Sequence, residues 1–246
     1  VDGVLATVDP YDPVLAGDTG RLAGVRARRA AAAEDYFARI AAGWDHVRSL
    51  HAPEADVEAA VLAAVGDRHY AQLLDVGTGT GRMLELLAPL ADRLVGLDTS
   101  HSMLAVARAN VARADLPAGR VELRQGDAYS PPFERATFDL VVIHQVLHYL
   151  DDPGRAVAEA ARLVAPGGRL LVVDFAPHRL EALQADHNHR RLGFRADTIE
   201  AWFHQAGLTP ATTRSITGGE LTVQLWLGDA AATPDSPVAT TLEAVR

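Results

Sequence analysis

The sequence predicts an α/β protein, with a doubly wound, mostly parallel seven-stranded sheet and an N-terminal helical extension. Three observations carry this prediction. Short apolar runs alternate with amphipathic stretches from about residue 70 to residue 175, the pattern of strands joined by crossover helices. One run, Phe138-Asp-Leu-Val-Val-Ile143, is almost uninterrupted, as in a strand covered on both faces. The stretch Leu73-Leu74-Asp75-Val76-Gly77-Thr78-Gly79-Thr80-Gly81-Arg82 reads as strand, tight turn and helix start. Glycine lets such a turn bend sharply and approach a ligand, and the following helix offers free N–H groups to an anion. The pattern is G-x-G-x-G. A dinucleotide fingerprint, G-x-G-x-x-G, would need its last glycine where Arg82 stands. A Walker A loop needs a lysine, and the chain has none.

The remaining elements follow in order. Asp9-Pro10-Tyr11-Asp12-Pro13 is turn chemistry after a strand fragment at Val1–Asp9. Arg21 to Ala33 is rich in strong helix formers. Tyr36, Phe37, Ile40, Trp44, Val47 and Leu50 then recur at helical spacing, an aromatic face that either packs on the domain or covers a ligand pocket. Val57–Val65 is a short helix. The sheet begins with Gln72–Val76, followed by helix Gly81–Leu90. Arg93–Leu97 is the second strand, and Ser100 caps a helix over His101–Ala114. Val121–Gln125 and Phe138–Ile143 are the third and fourth strands, and Pro153 opens a helix running to Val164. Pro166-Gly167-Gly168 is a turn before strand Arg169–Phe175. A polar segment, Pro177–Gly193, leads to helix Ala196–Ala206. Thr209–Thr217 and Glu220–Leu227 form a hairpin around Gly218-Gly219. The expected organisation is an extension with linker or lid helices over 1–50, the ligand-binding domain over 51–228, and a disordered Ala/Thr/Pro/Ser-rich tail over 229–246.

Composition removes several function classes. Acidic residues outnumber basic ones, 32 to 23, for a formal charge of −9. A phosphate-binding surface needs the opposite balance, although Arg21, Arg26, Arg28 and Arg29 cluster near the start. The absence of cysteine excludes disulfides, thiol nucleophiles and thiolate metal sites, and it fits a reducing compartment. The absence of lysine excludes Schiff-base chemistry. No apolar run approaches the ~18 residues of a membrane span, and no signal peptide is read at the start. A cytoplasmic protein is expected.

Four features fall at the C-terminal ends of successive strands, where open α/β sheets bind ligands. The first is the Asp75–Gly81 turn. The second is Asp98, 21 residues after Gly77, a carboxylate suited to accept ribose hydroxyls. The third is Asp127-Ala128, suited to an exocyclic amine. The fourth is His144.

These stretches also carry a resemblance. Leu74-Asp-Val-Gly-Thr-Gly-Thr-Gly81, Gly96-Leu-Asp-Thr-Ser100, Gly126-Asp-Ala128, Phe138-Asp-Leu-Val-Val142 and Leu163-Val-Ala-Pro-Gly-Gly-Arg-Leu170 resemble the successive motifs of class I S-adenosylmethionine (SAM) methyltransferases. The branch of the ubiquinone/menaquinone C-methyltransferases is especially similar. The resemblance implies a Rossmann-like methyltransferase fold, SAM as cofactor and S-adenosylhomocysteine (SAH) as product. It implies that the Gly77–Gly81 backbone, with Thr78 and Gly79, holds the methionine part, and that Asp75 sits near the amino group. Asp98 and Thr99 would take the ribose, Met103 would pack on adenine, and Asp127 with Ala128 would read the adenine edge. His144-Gln-Val-Leu-His-Tyr-Leu-Asp-Asp-Pro153, Val173-Asp-Phe-Ala-Pro-His178 and His187-Asn-His-Arg-Arg-Leu-Gly-Phe194 resemble the methyltransferase half of bacterial ArsR-type regulators. The first fifty residues then resemble the tail of a winged-helix domain and its linker helix. The DNA-reading helix itself is absent, so specific nucleic-acid binding by this chain is not expected.

Two functions stay open at this level: an enzyme that methylates a small-molecule acceptor, and a domain that senses SAM or SAH for a DNA-binding partner. Methyl transfer from a sulfonium needs alignment and exclusion of water, with a base only where the acceptor carries a proton. His148 is the first candidate base, set against a plain structural histidine. His144 is the second candidate and a cofactor-lining residue, sharing a face with His148 if residues 144–148 are helical. Tyr36 and Trp44 are candidates to close the pocket. His178, His187 and His189, with His144 or His148, raise the question of a metal, but no H-E-x-x-H motif or cysteine accompanies them and none is expected. Arg190 and Arg191 either hold an acidic acceptor or pair with surface acids. A homodimer through the N-terminal helices is also expected.

Overall fold

A computed structural model of the chain describes residues 13–43, 53–114, 116–117, 119–186 and 189–232. Its centre is a sheet of seven strands in the order β3-β2-β1-β4-β5-β7-β6. The strands are β1 (Tyr70–Val76), β2 (Ala91–Asp98), β3 (Val121–Gln125), β4 (Phe138–His144), β5 (Val164–Phe175), β6 (Leu208–Ile216) and β7 (Val223–Ala230). The pairs among β1–β5 are parallel. Strand β7 runs antiparallel to both β5 and β6. The chain starts at the middle of the sheet, winds outward through β2 and β3, then crosses back to lay β4 on the other side of β1. The reversal between β1 and β4 opens a crevice at their C-terminal ends, the usual ligand position of such sheets.

The apolar run of β4 behaves as its composition predicts. Leu140 and Val142 face one layer of the core and Val141 and Ile143 the other, all at 0% exposure. The first layer is covered by α2 (Glu54–Val65), through Val57, Val61 and Val65, and by α3 (Arg82–Leu87), through Met83, Leu84 and Leu87. The second is covered by α5 (Pro153–Leu163) and α7 (Ala196–Gln205), whose Val157, Leu163, Ile199 and Phe203 pack with Trp226. Helix α4 (His101–Arg113) starts where Ser100 Oγ accepts the Met103 N–H at 3.3 Å, and α5 starts where the Asp152 carboxylate accepts that of Arg155 at 3.1 Å, each satisfying a donor that the first turn leaves open.

Several boundaries differ from the sequence reading. Helix α3 ends at Leu87 and continues only as a 3-10 turn, Ala88–Leu90, because Pro89 has no N–H to carry the ladder. Pro166-Gly167-Gly168 is not a separate turn: strand β5 begins at Val164, and the irregularity appears as a register shift against β4. The polar segment contains a short helix, α6 (Ala182–Asp186). Strand β7 starts at Val223 rather than Glu220 and runs to Ala230, two residues into the segment expected to be a tail. The N-terminal helix α1 spans Pro13–Ile40 without a break and packs on α4. Val1–Asp9, Trp44, Val47, Leu50, His187 and residues 233–246 lie outside the described residues.

Candidate functional site

The crevice between β1 and β4 widens into a cavity of about 870 Å³. Its floor is the glycine turn. Gly77 and Thr78 donate their N–H groups to Leu97 O at 2.7 and 3.0 Å, so the turn after β1 is tied to the end of β2. Gly77 has φ 73°, and a Cβ there would stand 2.4 Å from Val146 Cγ2 on the loop after β4. Only glycine fits, both for its backbone and for the close approach of that loop. Gly81 differs from expectation. It does not line the cavity; at φ 86° it begins α3 and leaves 3.4 Å between a hypothetical Cβ and that of Ala107. Its place in the structure is helix packing. Thr78 Oγ1 lies buried on the cavity wall with no hydrogen-bond partner among the described residues.

The other predicted positions converge on the same space. Asp75, Gly77, Thr78, Gly79, Asp98, Thr99, Met103, Asp127, Ala128 and His144 all line it. Asp98 Oδ2 accepts the Gly79 N–H and Oδ1 the Ser100 N–H, both at 2.8 Å. Burial pushes its carboxyl above the ordinary carboxylate range, against these backbone hydrogen bonds and with help from the charge of Glu34. Asp127 Oδ1 accepts the Tyr129 N–H at 2.9 Å, which sets the loop after β3. Met103 is buried, and Asp127 and Thr99 are exposed.

The two histidines part company. The chain does not form a helix over 144–148. His144 ends β4, Gln145 takes φ 54°, and a 3-10 turn follows over Leu147–Tyr149. His144 remains on the cavity wall, whereas His148 does not line it. His148 is 1% exposed, and its Nδ1 lies 2.8 Å from Asp174 Oδ1, itself fully buried on β5. The ring packs against Tyr149, Phe175 and His189, with centroids 4.1, 5.0 and 4.2 Å away. The His148 carbonyl accepts the N–H groups of Arg190 and Arg191 at 2.9 and 3.2 Å. Arg190 lines the cavity and is ion-paired with Asp151. The single acid inside the apolar run Val172-Val173-Asp174-Phe175 was the only sequence signal for this arrangement.

Helix α1 closes one side. Glu34 and Phe37 line the cavity. Phe37 meets the Tyr149 ring edge-on at 5.2 Å, and Tyr36 packs on Phe37 at 5.3 Å. Arg82, also on the wall, grips Glu58 of α2 with Nε and Nη2, each at 2.6 Å. Sequence reasoning singled out neither Glu34 nor Arg82 as a site residue. Among the described residues, no three His, Asp or Glu side chains are grouped to hold a metal ion, and no helix is long and apolar enough to cross a membrane.

Known proteins resemble this chain in sequence and in fold. Residues 74–172 match the family described as Methyltransferase domain. The malonyl-[acyl-carrier protein] O-methyltransferase of Pseudescherichia vulneris is 31% identical over 195 residues, covering 75% of this chain and 73% of that protein. The demethylmenaquinone methyltransferase of Clavibacter sepedonicus is 27% identical over 186 residues, covering 65% of this chain and 73% of that protein. Two other curated relatives are spanned to only 32% and 59% of their length. The N-methyltransferase NodS of Bradyrhizobium japonicum, solved in complex with SAH, shares the fold at TM-score 0.59 and 23% identity, covering 74% of this chain and 90% of that one.

Proposed function

The chain belongs to the class I SAM-dependent methyltransferase family, and from that membership we propose that it binds SAM in the cavity between β1 and β4 and transfers its methyl group to a small-molecule acceptor. One observation carries the proposal. The glycine turn and the acids at the C-terminal ends of β1, β2 and β3 line a single cavity, with Asp98 hydrogen-bonded to Gly79 at 2.8 Å. The orphaned Thr78 hydroxyl supports the same reading, because a buried hydroxyl without a partner is costly until a ligand supplies one.

In this reading the turn at Gly77–Gly79 holds the methionine part of the cofactor beside Asp75. Asp98 and Thr99 hold the ribose, Met103 lies on the adenine face, and Asp127 with Ala128 reads its edge. Bound SAM supplies an electrophilic methyl on a sulfonium. The protein's own contribution is alignment and exclusion of water. Phe37, Tyr149 and the Arg190–Asp151 pair wall the space where an acceptor would enter. Proton removal, where the acceptor carries a proton, falls to His144, the imidazole on the wall. His148 is a positioning residue: anchored by Asp174, it fixes the adjacent Tyr149 and, through its carbonyl, the backbone of Arg190.

Calorimetric titration with SAM and SAH tests the site, with Asp98→Ala as the control, followed by an acceptor screen with labelled methyl. Failure of the folded protein to bind either ligand would overturn the proposal. Binding without turnover on any acceptor would favour the sensing role. A cytoplasmic location and a homodimer through α1 complete the proposal. Val14 and Leu22 stand exposed on that helix, and light scattering reports the oligomeric state.

A further inference from the structure

Helix α1 does more than cover the cavity with an aromatic side chain; it also delivers a carboxylate. Glu34 lines the cavity, and its Oε1 accepts the Ser100 hydroxyl at 3.3 Å. Ser100 is the N-cap of α4, and its own N–H is bound by Asp98 Oδ1. Glu34 and Asp98 therefore meet across one residue at the end of β2, although they come from elements far apart in the chain. The electrostatics agree with this proximity, since the charge of Glu34 adds to the burial that makes Asp98 harder to ionise.

Two carboxylates brought together at a cavity wall repel each other unless donors lie between them. The backbone N–H groups of Gly79 and Ser100 each bind one oxygen of Asp98, and that of Thr99 also contributes, whereas a carboxylate has about four lone-pair sites. Acceptor capacity is thus left over on Asp98, and Glu34 adds more beside it. A vicinal diol presents two O–H donors. A single acid can take both, but here the second acid is carried by the covering helix.

We propose that Glu34 is a second ribose-binding carboxylate, so that a cofactor carrying both ribose hydroxyls ties α1 to the sheet. The inference rests on the SAM reading of the cavity and adds to it a residue from outside the matched methyltransferase region, residues 74–172. Ribose hydroxyls held by both acids would join Asp98, on the sheet, to Glu34, on a helix that already packs on α4.

The test is a chemical double-mutant cycle on the full chain, using SAH and its 2′,3′-dideoxy analogue as ligands and calorimetry as the readout. Glu34→Gln keeps the shape and an acceptor oxygen but removes the charge. It should weaken SAH about tenfold, the worth of one charge-assisted hydrogen bond, while the dideoxy analogue binds both proteins alike. Equal weakening of both ligands would assign Glu34 a structural role and overturn the proposal, as would unchanged binding of SAH. Tight SAH binding with no Glu34 effect leaves the cofactor site standing and removes only this inference. Absence of SAH binding to the unmodified protein removes both.

Discussion

The Gly79 N–H points at the Asp98 carboxylate, 2.8 Å from Oδ2. The turn after β1 and the acid that ends β2 are one hydrogen-bonded unit before any ligand arrives. Replacing Asp98 with alanine therefore removes a ribose acceptor and also frees a turn donor. We expect Asp98→Ala to weaken SAH by about 100-fold or more, the loss of two charge-assisted contacts. Calorimetry on the folded variant decides it, and binding within a few fold of the parent would count against the assignment.

The same carboxylate sets a pH dependence. Burial raises its pKa in the folded protein above the ordinary aspartate value. The protonated form therefore favours the fold, a contribution complete below the unfolded pKa and lost as the pH rises through the folded one. Cofactor binding has the opposite sign, because hydroxyl donors need the ionised acceptor. SAH affinity should fall on acidification at a pH above the ordinary aspartate range, and Asp98→Asn should flatten that profile.

Gly77 is held at φ 73° with Val146 pressed against it. Gly77→Ala combines an unfavourable backbone region with a clash, and should cost about 2–4 kcal/mol of stability and abolish SAH binding. Gly66→Ala is the control. Nothing stands within 4 Å of it, but φ 68° with ψ −168° is a backbone region essentially confined to glycine, so the substitution should cost about 1–3 kcal/mol of strain alone and leave binding intact. Denaturant midpoints of the two variants separate strain from contact.

His148→Ala leaves the Asp174 charge buried without its partner. Breaking such a pair costs about 3–5 kcal/mol, visible in chemical denaturation. As a positioning residue, His148 should affect the acceptor KM more than SAM affinity in any variant that still folds. The conservative His148→Asn, which can still donate to Asp174, should recover part of both. A loss of kcat alone, with KM unchanged, would return His148 to the role of base.

Phe37 touches Tyr149 edge-on at 5.2 Å, a contact of about 0.5–1.5 kcal/mol beyond its buried area. Phe37→Ala should loosen α1 over the cavity. Trypsin cleavage at arginines of α1, such as Arg28 and Arg39, should then accelerate, and added SAH should protect the variant less than the parent. Equal cleavage of the two proteins would show that α1 is held elsewhere.

Much of this protein is written locally. The parallel sheet follows from apolar runs such as Phe138–Ile143, because a strand covered on both faces admits no polar alternation. The glycine turn, Asp98 and Asp127 are legible because each closes a strand, and the C-terminal ends of parallel strands share one edge. The Ser100 cap is legible because capping acts within one helical turn. What escaped depends on contacts between distant residues. Asp174 and His148 are 26 positions apart, and Glu34 and Ser100 66 apart. No period or motif ties such residues together; only the pairing of β4 with β5, and the packing of α1 on α4, bring them within hydrogen-bond reach. The same closure moved Gly81 from the cavity to a helix contact and His148 from the wall to the core. Strand periodicity and turn chemistry are short-range physics and survive in the sequence, whereas the partner of a buried charge is chosen by topology.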